Sequence, residues 1–164
     1  MAMNDLKSVY IDQLQDIYSA DRQSETVTRK LADRASDREL KAALKRGIDG
    51  IDQGKQALAH IIRSHEAEPT GEFCKGMEGL VKEAEAHALR ADFGDDDVRD
   101  AMIISQYQRM AHYAIAGYGC CAAFARRLGY EGEAKTLQDC LDNTYHGDKE
   151  MTRIAIGSVN PDAA

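Results

Sequence analysis

Tryptophan is absent from this chain of 164 residues, and proline occurs only at positions 69 and 161. No apolar run approaches the roughly 20 residues that a membrane-spanning helix requires. Lysine and arginine form no cluster, and the formal net charge is −7. Because nucleic acids and anionic membranes are bound through basic surfaces, we expect no nucleic-acid and no membrane partner.

Signs of a secreted protein or of a cysteine metal site are also missing. The N-terminus lacks the basic and apolar regions of a signal peptide. Cys74, Cys120, Cys121 and Cys140 show no metal-ligand spacing. The adjacent side chains of Cys120 and Cys121 would point about 100° apart on a helix, so they would not readily pair. We therefore expect reduced cysteines in a cytoplasmic protein.

The residue composition and the spacing of the apolar residues are both typical of α-helices. Alanine, leucine, glutamate, lysine, arginine and glutamine are abundant, which favours helix over sheet. The apolar periodicity predicts five helices, near residues 5–34, 36–66, 72–91, 96–128 and 131–156. Thr70 is expected to cap the third helix and Gly129 to end the fourth. We assign residues 1–160 to one domain and 161–164 to a short tail.

The inward faces of the predicted helices carry unusually small residues. A glycine inside a helix is about 1 kcal/mol less favourable than alanine, so three on one face need an explanation. Two carboxylates, Asp21 and Asp148, also lie on inward stripes. The small inward residues are Gly47, Gly50 and Gly54 on the second helix, Ala111 and Ala114 on the fourth, and Thr144 on the fifth.

The order of helix lengths predicts a bundle. Two long hairpins, which turn near Ala35 and Gly129, are separated by a shorter helix. Counting equal distances from each turn places the small inward residues, Asp21 and Asp148 in one cross-section. This is the plan of an all-α, ferritin-like four-helix bundle, in which helices one, two, four and five form the bundle and helix three is the crossover.

Several segments carry a more specific signal. They are Tyr18–Gln23, Cys74–Leu80 and Gln108–Gly119, with Leu128–Tyr130 and the Ala134–Leu137 start of the last helix in agreement. On these segments the chain resembles the YciF/YciE family of ferritin-like proteins over nearly its whole length. The resemblance implies a ferritin-like fold and a layer of metal-binding carboxylates and imidazoles inside the bundle.

The resemblance also implies which positions of this chain stand where metal ligands would be. Asp21 occupies the position of a ligand glutamate of the family, and Asp148 occupies the position of a ligand aspartate, so two carboxylates remain. Because two first-row metals need several carboxylate or imidazole ligands each, we expect no di-iron or di-manganese centre and no other cofactor. The remaining ligand positions are occupied by Gly47, Gly50, Gly54, Ala111, Ala114 and Thr144.

These replacements remove bulk as well as charge, and two explanations stay open. The layer could form a mostly apolar pocket for a small amphipathic molecule, with Asp21 and Asp148 as its polar ends. Alternatively, the second helix could approach a neighbouring helix closely at its glycines. Tyr107 and Tyr118 are expected to hold the helices apart on either side of the layer.

Three classes of function remain. The first is a metal-free, stress-associated bundle, structural or small-molecule-binding, which we expect to be a homodimer. The second is a metal-free enzyme with Asp21 and Asp148 as acid and base and His112 as a further catalytic candidate. The third is an iron or manganese enzyme that handles oxygen or peroxide at a relocated site. The ligands of that site would come from Asp21, Asp148, Asp49, Asp52, His112 and His146. The other histidines, His60, His65 and His87, are expected on the surface.

Overall fold

The computed structural model describes residues 3–164 and has the all-α bundle architecture that the sequence predicts, which confirms the fold class. α1 packs against α2 and α4, and α5 packs against α4 and α2, while α3 contacts α1 and α4 as the crossover. No helix in this described part of the chain is long and apolar enough to cross a membrane. The helices are α1 (Leu6–Arg34), α2 (Arg38–Ser64), α3 (Lys75–Ala84), α4 (Asp96–Leu128), α5 (Glu131–Ile154) and α6 (Asn160–Ala163).

Two helices continue into wider, π-helical turns. One turn, Glu85–Arg90, extends α3, and the other, Ala155–Val159, joins α5 to α6. α6 packs against α4. Residues 161–163, which the sequence assigns to a tail, therefore belong to the last helical turn.

The third helix begins later than the sequence predicts. It starts at Lys75, not Glu72, and its cap is Cys74, whose Sγ accepts a 3.3 Å hydrogen bond from the Met77 N–H. The residues before it are held by α1, because the Cys74 N–H donates to Ser19 Oγ at 3.0 Å. This tertiary contact keeps Cys74 extended and moves the helix start.

A buried carboxylate closes the turn between α1 and α2. Asp100, on α4, is 0 % exposed. Its oxygens accept from the Ser36 N–H at 3.0 Å, the Ser36 hydroxyl at 2.7 Å and the Asp37 N–H at 2.7 Å. Asp37 then caps α2 by accepting from the Leu40 N–H at 2.7 Å. One α4 side chain therefore ties the first hairpin to the second.

The opposite end of the bundle is closed by a histidine that the sequence places on the surface. The His65 side chain is only 8 % exposed, and its Nε2 lies 3.0 Å from Glu133 Oε2. The Tyr10 hydroxyl donates to the same oxygen at 2.8 Å. The Tyr130 ring lies 5.0 Å from the imidazole. His65 is buried because α2 ends against the start of α5.

Two apolar clusters fill the ends of the bundle. The cluster near the α1–α2 turn includes Leu31, Leu40 and Leu44, all fully buried. The cluster near the α4–α5 turn includes Leu14 and Leu137, which are also fully buried. The interior between these clusters, which we call the middle layer, contains Asp21 and the small residues of α2, α4 and α5.

Candidate functional site: a cavity in the middle layer

A cavity of about 500 Å³ lies in the middle layer. This volume falls within the range of about 300 to 1,000 Å³ that is typical of small-molecule sites. Exposed residues of α2 and α5 form its outer edge, so the cavity opens to solvent between these helices. Its interior lining includes Asp21, Ser24, Gly47, Gly54, Tyr107, Ala111 and Tyr118, and its mouth includes Arg46, Asp49, Gln53, Asp139, Asn143 and His146.

The three glycines of α2 have two different roles. A Cβ atom at Gly47 would overlap the Tyr107 hydroxyl, and one at Gly54 would overlap the Tyr118 hydroxyl. Gly50 is exposed, and a Cβ atom there would meet nothing within 4 Å. Close approach therefore explains two of the glycines, and the third lies at the open edge of the cavity.

Asp21 is the buried acid of this cavity. The residue is 3 % exposed, and its Oδ2 accepts a 2.6 Å hydrogen bond from the Tyr118 hydroxyl. Among residues 3–164 that is the one hydrogen bond to the carboxyl group, and Oδ1 has no donor. Burial raises the pKa of Asp21 to about 7, although the Tyr118 hydrogen bond and the Lys55 charge act in the opposite direction. Near neutral pH the carboxyl group therefore exists in both charged and neutral forms.

The other polar groups inside the cavity stay protonated. Burial, and then the charge of Asp21, raises the pKa of Tyr118. Burial likewise raises the pKa of Tyr107 to about 12 and that of the Cys140 thiol to about 11. Thr28, on the same wall, is fully buried, and its hydroxyl has no hydrogen-bond partner in the described chain. The interior thus combines one titratable carboxyl group with neutral hydroxyls and a thiol.

The small residues that the sequence placed in one layer lie around this one cavity. Ala111, Ala114 and Thr144 line it together with the three glycines. Ala111 is 9 % exposed, whereas Ala114 and Thr144 are half-buried. The Thr144 hydroxyl donates to the Cys140 carbonyl oxygen at 2.9 Å, one turn back on its own helix. The one hydroxyl hydrogen of Thr144 is therefore not available to a carboxylate in the cavity.

Asp148 does not form the second polar end of the cavity that the sequence predicts. Its Oδ1 accepts from Gln108 Nε2 at 3.1 Å, and its Oδ2 lies 3.0 Å from His112 Nε2. The cavity side of α5 passes through Thr144 and Gly147. Because four residues turn a helix by about 400°, Asp148 is rotated by about 40° from Thr144, towards the outer surface of α4. The predicted acid–base pair is therefore split, and the His112 side chain is 61 % exposed.

The residues proposed for a relocated metal site do not fit one. Asp49 and His146 lie at the mouth, whereas Asp52 forms an ion pair with Lys55 at 3.0 Å. Among residues 3–164 no group of three or more histidine, cysteine, aspartate or glutamate side chains is placed to hold a metal ion. A first-row metal needs several such ligands, so this donor set does not suit a di-iron or di-manganese centre.

The family assignment agrees with this architecture. Residues 5–164 match the family model described as a domain of unknown function, DUF892. The chain belongs to the DUF892 family. The YciF protein of Escherichia coli strain K12, a relative, is 32 % identical over 164 residues, which cover 99 % of this chain and 98 % of YciF. The resemblance seen in the sequence is thereby confirmed.

Solved structures show the same fold. The crystal structure of YciF, described as an E. coli stress protein, has a TM-score of 0.89 at 31 % identity and covers 96 % of this chain and 99 % of its own. YcfI from Rhodopseudomonas palustris has a TM-score of 0.85 at 26 % identity, over 92 % and 94 % of the two chains. A protein from Xanthomonas campestris, at 18 % identity, shares the fold with a TM-score of 0.75 over 96 % and 95 %.

Proposed function

We propose that this protein binds a small organic molecule in the cavity of the middle layer, without a metal ion. The observation that carries the proposal is a cavity of about 500 Å³ that is open to solvent and contains a buried carboxyl group. Asp21 Oδ1 has no donor among residues 3–164 and is not sealed from solvent, so it faces the open cavity. A ligand with a polar group would supply a donor to this oxygen in place of solvent.

Binding is favoured over catalysis by the arrangement of the acids. General acid–base chemistry between two carboxyl groups requires both to reach one substrate. Asp148 contacts Gln108 and His112 outside the cavity lining, so among residues 3–164 Asp21 has no second carboxyl group opposite it in the interior. Binding pockets typically hold a few polar groups that orient the ligand, and here these are one buried acid and neutral hydroxyls.

Filling the cavity tests this proposal. We expect Gly50→Leu and Ala111→Leu, singly and combined, to fold and to abolish binding, because both positions line the cavity and Gly50 has free space around it. Binding is measured by saturation-transfer NMR with n-hexanol, hexanoate and n-hexylamine at millimolar concentration. Gly79→Leu is the matched control, since Gly79 also has open space but lies on α3 outside the lining. If no probe binds the wild type, or if the filled variants bind equally well, the proposal is wrong.

We also propose a stress-associated role, on the basis of the description of E. coli YciF as a stress protein. To test this role, the abundance of the protein is measured after oxidative, osmotic and acid challenge. Constant abundance under all three challenges would contradict the stress-associated role. The expected homodimer stays a prediction, for which light scattering of the purified protein is the measurement.

A further inference from the structure

Among residues 3–164 the Asp21 carboxyl group has no cationic partner within salt-bridge distance. The charge of Lys55 acts on it, but the Lys55 ammonium group is paired with Glu25 and Asp52. Arg46, at the mouth, is paired with Glu150. A carboxylate that is 3 % exposed is costly unless it is paired. A positive charge from outside the chain would stabilise the charged form of Asp21, which burial disfavours.

The charges along the cavity favour a cation. Besides Asp21, the lining carries Asp49, Asp139 and Glu150, whereas Arg46 is the one lysine or arginine that lines it in the described part of the chain. A cleft lined mainly by one sign of charge attracts ions of the opposite sign. The whole chain, at −7, adds to this attraction.

The length of the cavity interior is set by the two tyrosines. The Tyr118 hydroxyl lies against Gly54 beside Asp21, and the Tyr107 hydroxyl lies against Gly47. Seven residues of α2 separate these points, which corresponds to about 10 Å along the helix. Between them the α4 wall carries the methyl groups of Ala111 and Ala114, and the bare backbone of Gly50 lies at the exposed edge of α2. The wall therefore suits an apolar stem.

We infer that the cavity binds a protonated primary amine on a short apolar stem, with the ammonium group donating to Asp21 Oδ1 and the stem passing Gly50 towards Tyr107. This inference rests on the proposed function and names its ligand class. An ammonium group is a donor without acceptors, which matches a carboxylate oxygen that has no donor.

Binding of an amine is linked to the ionisation of Asp21. The titratable groups that interact with this carboxyl are Glu25 on α1, Lys55 on α2, Tyr107 and Tyr118 on α4, and Cys140 on α5. The pKa of Glu25 is lowered and that of Lys55 is raised by their ion pair, while the pKa values of both tyrosines and of Cys140 are raised by burial. These five groups keep their charge state near neutral pH, where Asp21, with a pKa of about 7, changes its own.

The test compares three probes with the same six-carbon stem, n-hexylamine, n-hexanol and hexanoate, by titration calorimetry at pH 8. We expect hexylamine to bind the most tightly and hexanoate the most weakly. Asp21→Asn should weaken hexylamine at least about tenfold, which is the loss of one charge-assisted contact, and leave hexanol nearly unchanged. Asp142→Asn is the control, because it removes an exposed charge of α5 outside the cavity lining.

The pH dependence in the wild type is a second readout that needs no Asp21 variant. Below pH 7 the affinity for hexylamine should fall by about tenfold per pH unit, with release of about one proton on binding. Titrations in buffers of different ionisation enthalpy measure that proton. Histidine ordinarily titrates in the same range and His146 lies at the mouth, so the series is repeated with His146→Gln, in which the slope should persist.

The outcomes separate the two proposals. If hexanol binds and is lost in the filled variants, but hexylamine is no tighter and Asp21→Asn has no effect, the amine inference is wrong and the binding function stands. If none of the three probes binds the wild type, both are wrong. A pH slope that disappears in His146→Gln would also overturn the assignment to Asp21.

Discussion

The ends of the bundle and its middle layer are built from the same four helices, yet they are packed differently. At both ends large aliphatic side chains are fully buried, such as Leu44 on α2 and Leu137 on α5. In the middle layer α2 presents glycines, and only two of these are filled, by tyrosine hydroxyls from α4. The ends can therefore hold the helices at a fixed spacing while the layer between them stays open.

The largest difference is expected when buried side chains are truncated. Leu14→Ala, in the end cluster near the α4–α5 turn, should lower the free energy of unfolding by about 2 to 5 kcal/mol, because it leaves a cavity in a packed region. Ile51→Ala, on the cavity wall, should cost clearly less, because that side chain is half-buried beside existing space. Urea denaturation measures both. Equal losses would mean that the middle layer is packed as tightly as the ends.

The next effect concerns the charge in the middle layer. Burial raises the pKa of Asp21 from the ordinary 3.8 to about 7, so between these pH values the folded protein holds a proton that the unfolded chain has lost. The stability from this group is complete below about pH 4 and is lost as the pH rises through about 7.

Asp21→Asn should remove this loss. Asparagine keeps an acceptor for the Tyr118 hydroxyl but cannot ionise. Relative to the wild type, the variant should gain stability between about pH 4 and pH 8, on the order of a few kcal/mol. Denaturation at a series of pH values gives the difference curve. A difference that is flat with pH would show that Asp21 does not titrate in this range.

A smaller effect separates filled from open glycine positions. Gly54→Ala should lower stability by about 1 to 3 kcal/mol, because the new methyl group overlaps the Tyr118 hydroxyl. In a Tyr118→Phe background the same change should be nearly neutral, since the hydroxyl is gone. The double-mutant cycle from denaturation midpoints gives the coupling. Additive effects would rule out this contact as the reason for the glycine.

The smallest effect is a gain at the open position. Gly50→Ala should raise stability by up to about 1 kcal/mol, because alanine is the better helix former and a Cβ atom meets nothing within 4 Å. Gly79→Ala on α3, which also has free space, is the matched comparison. Thermal unfolding measures both. A loss of stability at Gly50 alone would indicate that the cavity closes in solution.

Much of this arrangement could be predicted from single residues. Asp21 and Ala111 lie on inward stripes of the helical period, and equal distances from the turns bring them to one level, with Tyr107 and Tyr118 on either side of it. Asp148 could not be placed in this way, because a rotation of about 40° separates the cavity side of a helix from its flank. Asp100 gave no signal either, since it follows an acidic turn and nothing in the sequence distinguishes it from Asp95, Asp96 and Asp97.

The sequence by itself determined the helices, their order and the loss of bulky ligating side chains from the interior, because periodicity, turns and residue size are local properties. Only the tertiary structure decided which part of that lost volume is filled by tyrosine side chains and which part stays open. Whether a glycine meets a tyrosine, as at Gly54, or meets open space, as at Gly50, depends on the register of α4 against α2. The burial of Asp21, and with it the raised pKa, likewise requires four helices to exclude water at once.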